Sequence, residues 1–306
     1  MTHLTVVIPV YNESTLIEEL VKRVKLNVKL ITEDFEIIVI DDGSKDQTWS
    51  QIEIEAKKEK RIKGIKFSRN FGHHYAITAG LHNSSGEWTV VMDGDLQDRP
   101  EVIPDLYKKA VEGFDIIYVS RKGRPESKFY LLAQRIFYII LNAISGLKFD
   151  YTHANFSIIN SKVLKNFNNL GENTRFYPST IKWVGFKEGT IFAQHGERFS
   201  GTPGYTFKKR IRLATEIIIS QSNRPLKFVY FVGTIEVLTS FLFLINFIFK
   251  VEQGTNILEN GSLIVFMITF IGGTITLGIG IIGTYIGKIF IEAKQRPLYV
   301  VDKFIN

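Results

Sequence analysis

Short apolar runs, each ending in polar residues and separated by helical stretches, constrain this chain more than any other feature. Leu4–Val10, Phe35–Ile40, Ile62–Phe67 and Glu87–Met92 read as strands, and Phe114–Ser120 as a fifth. Glu13–Lys29 repeats Leu16, Leu20 and Val24 at helical spacing; Asp46–Lys60, His74–Asn83 and Pro100–Glu112 also read as helices. Repeated βα units of this length predict an α/β fold with a mostly parallel sheet covered on both faces. In such sheets ligands bind beyond the carboxyl ends of the strands. Those ends read Pro9-Val-Tyr-Asn-Glu13, Asp41-Asp-Gly-Ser44, Ser68-Arg-Asn-Phe-Gly72, Asp93-Gly-Asp-Leu-Gln97 and Ser120-Arg121. Polar residues therefore converge on one rim.

Asp93 and Asp95 stand one residue apart after an apolar strand, where two carboxylates can bind a divalent cation and a pyrophosphate together. An Asp-x-Asp triplet is also common in surface turns, and Asp41-Asp-Gly-Ser44 is ordinary turn chemistry. Other candidates are weaker. His73 and His74 are adjacent, point in different directions and make a poor metal pair; His82 and His195 lack partners at ligand spacing. No complete phosphate-binding loop of the Walker type, zinc pattern or Gly-x-Gly-x-x-Gly follows the first strand.

The last third changes character. Phe228–Phe249 is 22 residues long with one charge, Glu236, and Leu263–Gly287 is 25 residues long with none. As helices they would be roughly 33 and 37 Å long, enough for a hydrocarbon core of about 30 Å. The alternative is a pair of buried core helices. Lys208, Lys209, Arg210, Arg212, Arg224 and Lys227 precede the pair, and Lys288, Lys294, Arg296 and Lys303 follow it; the connector has one Lys against two Glu. This asymmetry predicts a two-helix hairpin with both flanks, and so the catalytic domain and C-terminus, on the cytoplasmic side of the inner membrane. Gly273, Gly280 and Gly287 share one helical face, where another helix could approach. Thr206–Ser222 and Lys128–Leu147 read as interfacial amphipathic helices or as domain-packing ones. The expected layout is a catalytic domain over 1–205 (with the helix at 128–147), a juxtamembrane helix over 206–227, transmembrane helices at 228–249 and 263–287, and a tail over 288–306.

Composition narrows the partners. The chain has 306 residues, a net charge of +7 and no cysteine, which excludes disulfides and thiolate metal sites. The charge suits anionic lipid and phosphorylated substrates, and the basic stretches carry no nucleic-acid module. Met1-Thr-His-Leu-Thr runs straight into a strand, so no cleaved export signal is expected.

Val6-Val-Ile-Pro-Val-Tyr-Asn-Glu13, Val39-Ile-Asp-Asp-Gly-Ser44, Ser68-Arg-Asn-Phe-Gly72 and Asp93-Gly-Asp-Leu-Gln-Asp98 resemble the signature blocks of family 2 inverting glycosyltransferases. The resemblance covers nearly the whole chain, is strongest to the polyprenyl-phosphate subgroup (the bactoprenol- and dolichyl-phosphate type), and includes the tail Gly287–Tyr299 ending Arg296-Pro-Leu-Tyr299. It implies a Rossmann-like GT-A nucleotide-sugar domain and use of Mg²⁺ or Mn²⁺. By the resemblance Asp95 is the main metal ligand, with Gln97 a second and Asp93 on the metal or the donor ribose. Pro9, Tyr11, Glu13, Asp42 and Arg69 resemble donor contacts. Arg121, Arg198 and Tyr205 resemble contacts to the acceptor phosphate, and Asp95, Asn155 and Arg121 are the expected catalytic set. For Gln97 a capping or solvent role, and for Arg121 a merely solvated one, stay open.

Two departures from the family pattern matter. Relatives carry an acidic residue, the proposed base, in the block matching Tyr151-Thr-His-Ala-Asn-Phe156; here Asn155 is the match and His153 lies nearby. A phosphate monoester has a second pKa near about 6, so a polyprenyl phosphate is largely a dianion that needs positioning more than deprotonation. In Arg198-Phe-Ser-Gly-Thr-Pro-Gly-Tyr205, Pro203-Gly204 stands where relatives have a Ser-Lys or Thr-Lys pair, with Lys208 or Lys209 as substitutes. The expected activity is transfer of one sugar from a nucleotide donor to polyprenyl phosphate at the cytoplasmic membrane face, for cell-envelope glycans, with a homo-oligomer and a downstream flippase as partners. The alternatives are transfer to a lipid-linked saccharide or other alcohol, which needs a base, and an inactive membrane scaffold of the same fold.

Overall fold

The computed structural model of the chain describes residues 2–122, 153–172, 175–194, 226–229, 231–236, 238 and 261–306. They divide into two compact units, one holding 1–135, 149–204 and 296–306 and the other 136–148 and 205–295.

The first unit is built on an eight-stranded sheet. In chain order its strands are β1 (Leu4–Val10), β2 (Phe35–Asp41), β3 (Ile62–Phe67), β4 (Trp88–Val91), β5 (Ile116–Lys122), β6 (His153–Asn160), β7 (Glu188–Gln194) and β8 (Val301–Ile305). Their spatial order is β7-β5-β6-β4-β1-β2-β3-β8. β1, β2, β3, β4, β5 and β7 run one way; β6 and β8 oppose them. The expected mostly parallel α/β sheet is therefore present.

Every residue of β1 and β2 is buried, as strands covered on both faces require. Leu4, Val6 and Ile8 pack into one core layer with α1 (Ile17–Val28), α2 (Thr48–Lys58) and α4 (Ile103–Ala110). Val7, Ile38 and Ile40 pack on the opposite face with α3 (His73–His82), α5 (Ser161–Asn168) and α6 (Tyr177–Val184). The period-2 alternation of a strand thus splits β1 between two cores. α1 begins at Ile17, not Glu13; ahead of it Asn12 takes a left-handed φ of 55°, and the backbone N–H groups of Asn12, Glu13 and Ser14 bond to Ser44 Oγ, Thr48 Oγ1 and Asp46 Oδ2. Pro100–Val102 forms a 3₁₀ turn ahead of α4.

The tail expected over 288–306 is not only a tail. Its residues 301–305 form β8, which closes the sheet edge antiparallel to β3. In the second unit α7 (Gly261–Ala293) is a single 33-residue helix containing the predicted Leu263–Gly287 span. Its stretch Phe270–Ala293 is long and apolar enough to cross a membrane and is 6% buried, unlike a soluble core helix. Open space surrounds Gly273, Gly280, Gly283 and Gly287. Most of the predicted span Phe228–Phe249, and the helices expected at Lys128–Leu147 and Thr206–Ser222, lie outside the described residues.

One buried acid ties four elements at the amino end of the sheet. Glu36 on β2 accepts from Thr5 Oγ1 at 2.6 Å, from Ser85 N and Oγ at 2.8 Å each, and from Lys63 Nζ at 2.6 Å. Burial alone would raise its pKa, but Lys63, Thr5 and Ser85 outweigh that and hold it below the usual glutamate range. Glu36→Gln should lower the unfolding free energy by about 1–3 kcal/mol at neutral pH, because it leaves buried donors unmatched. The carboxylate's folded pKa is depressed, so its contribution is present above the unfolded glutamate pKa and is lost as pH falls through the folded one. Urea unfolding across pH should therefore show the gap between wild type and variant closing in acid.

Candidate active site

Strand order reverses between β1 and β4, since β2 lies beyond β1 and β6 beyond β4. That is the switch point where an open α/β sheet leaves a crevice at its carboxyl edge. The loop leaving β4 fills one side of it. Gly94, Leu96 and Asp98 are buried, while Asp93, Asp95 and Gln97 between them are partly exposed. The three partly exposed residues all carry side-chain oxygen. Asp98 Oδ2 accepts the Asp93 N–H at 3.2 Å, and Asp95 Oδ1 accepts the Gln97 N–H at 3.1 Å. Leu96, at φ 61°, sits in the left-handed region with its side chain in the core. Such a conformation costs on the order of 1–3 kcal/mol for a bulky residue and persists only where packing dictates it. A Cβ on Gly94 would lie 2.5 Å from Val10 Cγ1 and 3.0 Å from Pro9 O, so glycine lets the loop rest on the end of β1.

Three more loops brace the other side. Asn12, at φ 55°, donates its N–H to Ser44 Oγ at 2.8 Å and accepts the Lys45 N–H through Oδ1 at 2.9 Å. Asp41 Oδ1 accepts the Ser44 N–H at 2.8 Å, which closes the turn that Asp-Asp-Gly-Ser predicts. Asp42 turns the other way: its carboxylate accepts the N–H of Phe71 at 2.7 Å and of Gly72 at 3.0 Å. Burial pushes the Asp42 carboxyl up, with those two N–H groups opposing. Arg69 lies 3.9 Å over the Phe71 ring and donates to Asn70 O at 3.0 Å. Tyr11 stands at the rim, 41% exposed.

Asp42 thereby fixes the start of α3 and aims its first residue into the crevice. His73 Nε2 lies 3.2 Å from Asp93 Oδ1 and 3.1 Å from Asn155 Nδ2. With a proton on Nε2 the Asn155 amide meets the ring through its oxygen; with Nε2 bare, through its nitrogen. Burial lowers the His73 pKa, but Asp93, Asp42 and Asp95 more than compensate and leave it above the ordinary value. His74 meets the opposite fate. It packs edge-on to Phe176 at 4.6 Å, and burial, reinforced by the charge of His73, lowers its pKa to about 3. Adjacent histidines do diverge, as expected, and only the first reaches the site.

Among the described residues no three His, Cys, Asp or Glu side chains converge as a metal cage. Asp93, Asp95 and Gln97 instead supply hard oxygen atoms from partly exposed positions of one loop. That set fits a Mg²⁺-like ion held by one or two carboxylates, with phosphates and water completing the shell.

The Glycosyl transferase family 2 profile matches residues 5–168. The chain belongs to this family. "Uncharacterized glycosyltransferase YkcC" of Bacillus subtilis is 35% identical over 98% of this chain and 93% of its own length. "Bactoprenol glucosyl transferase" of Shigella phage SfII is 33% identical over 98% of this chain and 97% of its own length. "Undecaprenyl-phosphate 4-deoxy-4-formamido-L-arabinose transferase" of Serratia proteamaculans is 31% identical over 99% and 94%. Glucosyl-3-phosphoglycerate synthase from Mycobacterium tuberculosis, solved with Mn²⁺, UDP-glucose and phosphoglyceric acid, shares the fold. The TM-score is 0.53 at 17% identity, over 73% of this chain and 79% of that one.

Within this family 2 chain the predicted residues fall into three groups. Pro9, Tyr11, Glu13, Asp42, Arg69, Asp93, Asp95 and Gln97 line the carboxyl ends of β1 to β4 or the loops beyond them, and Asn155 on β6 reaches the same crevice through His73. Arg121 is at the carboxyl end of β5, whose Ser120 pairs with His153, but its side chain lies outside the described residues. Arg198, Tyr205, Lys208 and Lys209 lie outside them as well. Sequence reasoning missed His73 and Asp98; the available signal was the position of His73 directly after a strand-end loop closed by glycine. Gly94→Ala should push the loop off β1 at a stability loss of about 1–3 kcal/mol, and any binding of nucleotide with a divalent cation at this loop should weaken with it. Calorimetric titration with nucleotide and Mn²⁺, beside urea unfolding, checks both.

Proposed function

We propose that the chain transfers one sugar from a nucleotide donor to polyprenyl phosphate, with inversion, at a membrane surface. The observation that carries this reading is the loop after β4 at the β1/β4 switch point, where partly exposed Asp93, Asp95 and Gln97 alternate with buried residues and Asp93 meets His73, itself in contact with Asn155. The near full-length likeness to proteins named for bactoprenol and undecaprenyl phosphate supports the acceptor class.

Asp95, with Asp93 and Gln97, would hold a divalent cation, which neutralises charge on the departing pyrophosphate when bound. Pro9, Tyr11, Glu13, Asp42 and Arg69 form or brace the donor pocket. A phosphate oxygen of the acceptor attacks the anomeric carbon, and the bond from that carbon to the nucleoside diphosphate breaks as the leaving group takes the electron pair. No proton has to move, because the acceptor is already a dianion at neutral pH. Asn155 then serves as an orienting amide, held by His73, and Arg121, Arg198 and Tyr205 supply acceptor-phosphate contacts. An alcohol acceptor would need a base at the position Asn155 occupies.

Chain connectivity supports the membrane arrangement. After α7 only residues 294–300 intervene before β8 joins the catalytic sheet, so the apolar helix and that sheet are joined by a short link. The basic residues flanking the two apolar segments support a cytoplasmic catalytic domain, with Phe228–Phe249 read as the second span. The glycolipid product then needs a flippase to reach the other leaflet.

Purified protein should move radiolabelled sugar from one of a panel of nucleotide donors to undecaprenyl phosphate, given Mn²⁺ or Mg²⁺. Asp95→Ala should lower the rate about 10²–10³-fold, the scale of a lost electrostatic stabiliser. Metal-dependent nucleotide binding without any lipid product would redirect the reading to an alcohol acceptor. Loss of nucleotide binding in wild type would leave a scaffold.

A further inference from the structure

The chain's last residues reach the loop that carries Arg69. β8 pairs Ile305 with Gly64, Phe304 with Ile65 and Lys303 with Lys66; after a register shift, Val301 pairs with Phe67. The ladder then runs one residue beyond β3, because the Ser68 N–H donates to Val300 O at 3.0 Å. Tyr299 lies flat on Phe67, ring centroids 4.9 Å apart at 15°. Phe67 meets Phe71 edge-on at 5.7 Å, and Phe71 carries the Arg69 guanidinium at 3.9 Å. The Tyr299 hydroxyl sits 3.2 Å from His82 Nδ1, at the opposite end of α3 from His73. One side chain thus supports an aromatic column ending in Arg69 and the helix whose first residue enters the crevice.

Covering an exposed edge strand would be reason enough for β8 to exist. It does not require an aromatic residue ahead of the strand, stacked on Phe67 where the Ser68–Gly72 loop begins. We propose that Tyr299 is a positioning residue for the Ser68–Gly72 loop, and that the segment following α7 thereby sets the donor affinity of the site. The inference rests on the reading of that loop as a donor contact. Residues 294–298 are all that separate Tyr299 from α7, so the column under Arg69 is anchored within a few residues of the apolar helix.

The test uses the full chain in detergent or nanodiscs, with Tyr299→Ala, Tyr299→Phe and Phe304→Ala as a control on β8. Tyr299→Ala should raise the donor KM about two- to tenfold, the scale of one aromatic contact, and leave the acceptor KM unchanged. Tyr299→Phe keeps the stack and should stay within about twofold of wild type, as should Phe304→Ala. Hydrogen exchange should quicken at Phe71 and Gly72 in Tyr299→Ala while β1 and β2 stay protected. An unchanged donor KM, or exchange that quickens evenly along β3 and β8, would reduce Tyr299 to edge packing and overturn the proposal. If wild type transfers no sugar at all, the proposed function fails instead, and the exchange pattern alone still decides whether Tyr299 holds the loop.

Discussion

Two-sided burial of β1 and β2 governs the rest of this molecule. All of their residues are removed from water, so a polar side chain inside must find partners or move to a strand end. Thr5 and Glu36 find partners, with Ser85 and Lys63, at the amino end of the sheet. At the carboxyl end the balance differs. Asp42, Asp93 and Asp95 act on the same imidazole, His73, and raise its pKa against the effect of burial. One end of the sheet matches its buried acid within the chain, whereas the other concentrates acids around a crevice that can accept a cation and its phosphates.

The order of elements was legible because strands buried on both faces leave continuous apolar runs, and because α1 repeats its apolar residues at helical spacing. The rim residues were legible for the same reason, being the first polar residues after each run. Helix starts were not. The helical spacing of Leu16, Leu20 and Val24 extends back to Glu13, but the N–H groups of Asn12, Glu13 and Ser14 bond to Ser44, Thr48 and Asp46, more than thirty residues away. β8 was hidden because Val301-Asp-Lys-Phe-Ile305 is mostly exposed and its partner strand lies far back in the chain. His73 was hidden because the residues that give it meaning, Asp93 and Asn155, are distant in sequence.

Preorganisation in this site is built from short links between side chains and backbone N–H groups. Ser44, Thr48 and Asp46 hold the loop after β1, Asp41 closes the turn after β2, Asp42 holds the entry to α3, and Asp98 holds the start of the loop after β4. None of these links needs a ligand to form. Donor groups held in this way lose little freedom on binding, so more of the interaction energy remains for the transition state.

The same acidity bears on how the proposed acceptor can approach. An acceptor dianion approaching Asp93 and Asp95 meets like charge, and at about 5 Å with an effective dielectric near 20 each unit pair costs about 3 kcal/mol. Asn155 is neutral and His73 already answers three aspartates, so the countercharge has to come from a cation bound at the acids or from Arg121 and Arg198, the residues proposed to meet the acceptor phosphate. On the proposed reading, a cation-bearing donor at the acids therefore favours the acceptor's approach. A carboxylate at position 155 would add a further like charge to that approach, and asparagine there removes it. Asparagine at that position is thus electrostatically consistent with an acceptor that arrives already deprotonated, and inconsistent with one that must surrender a proton there.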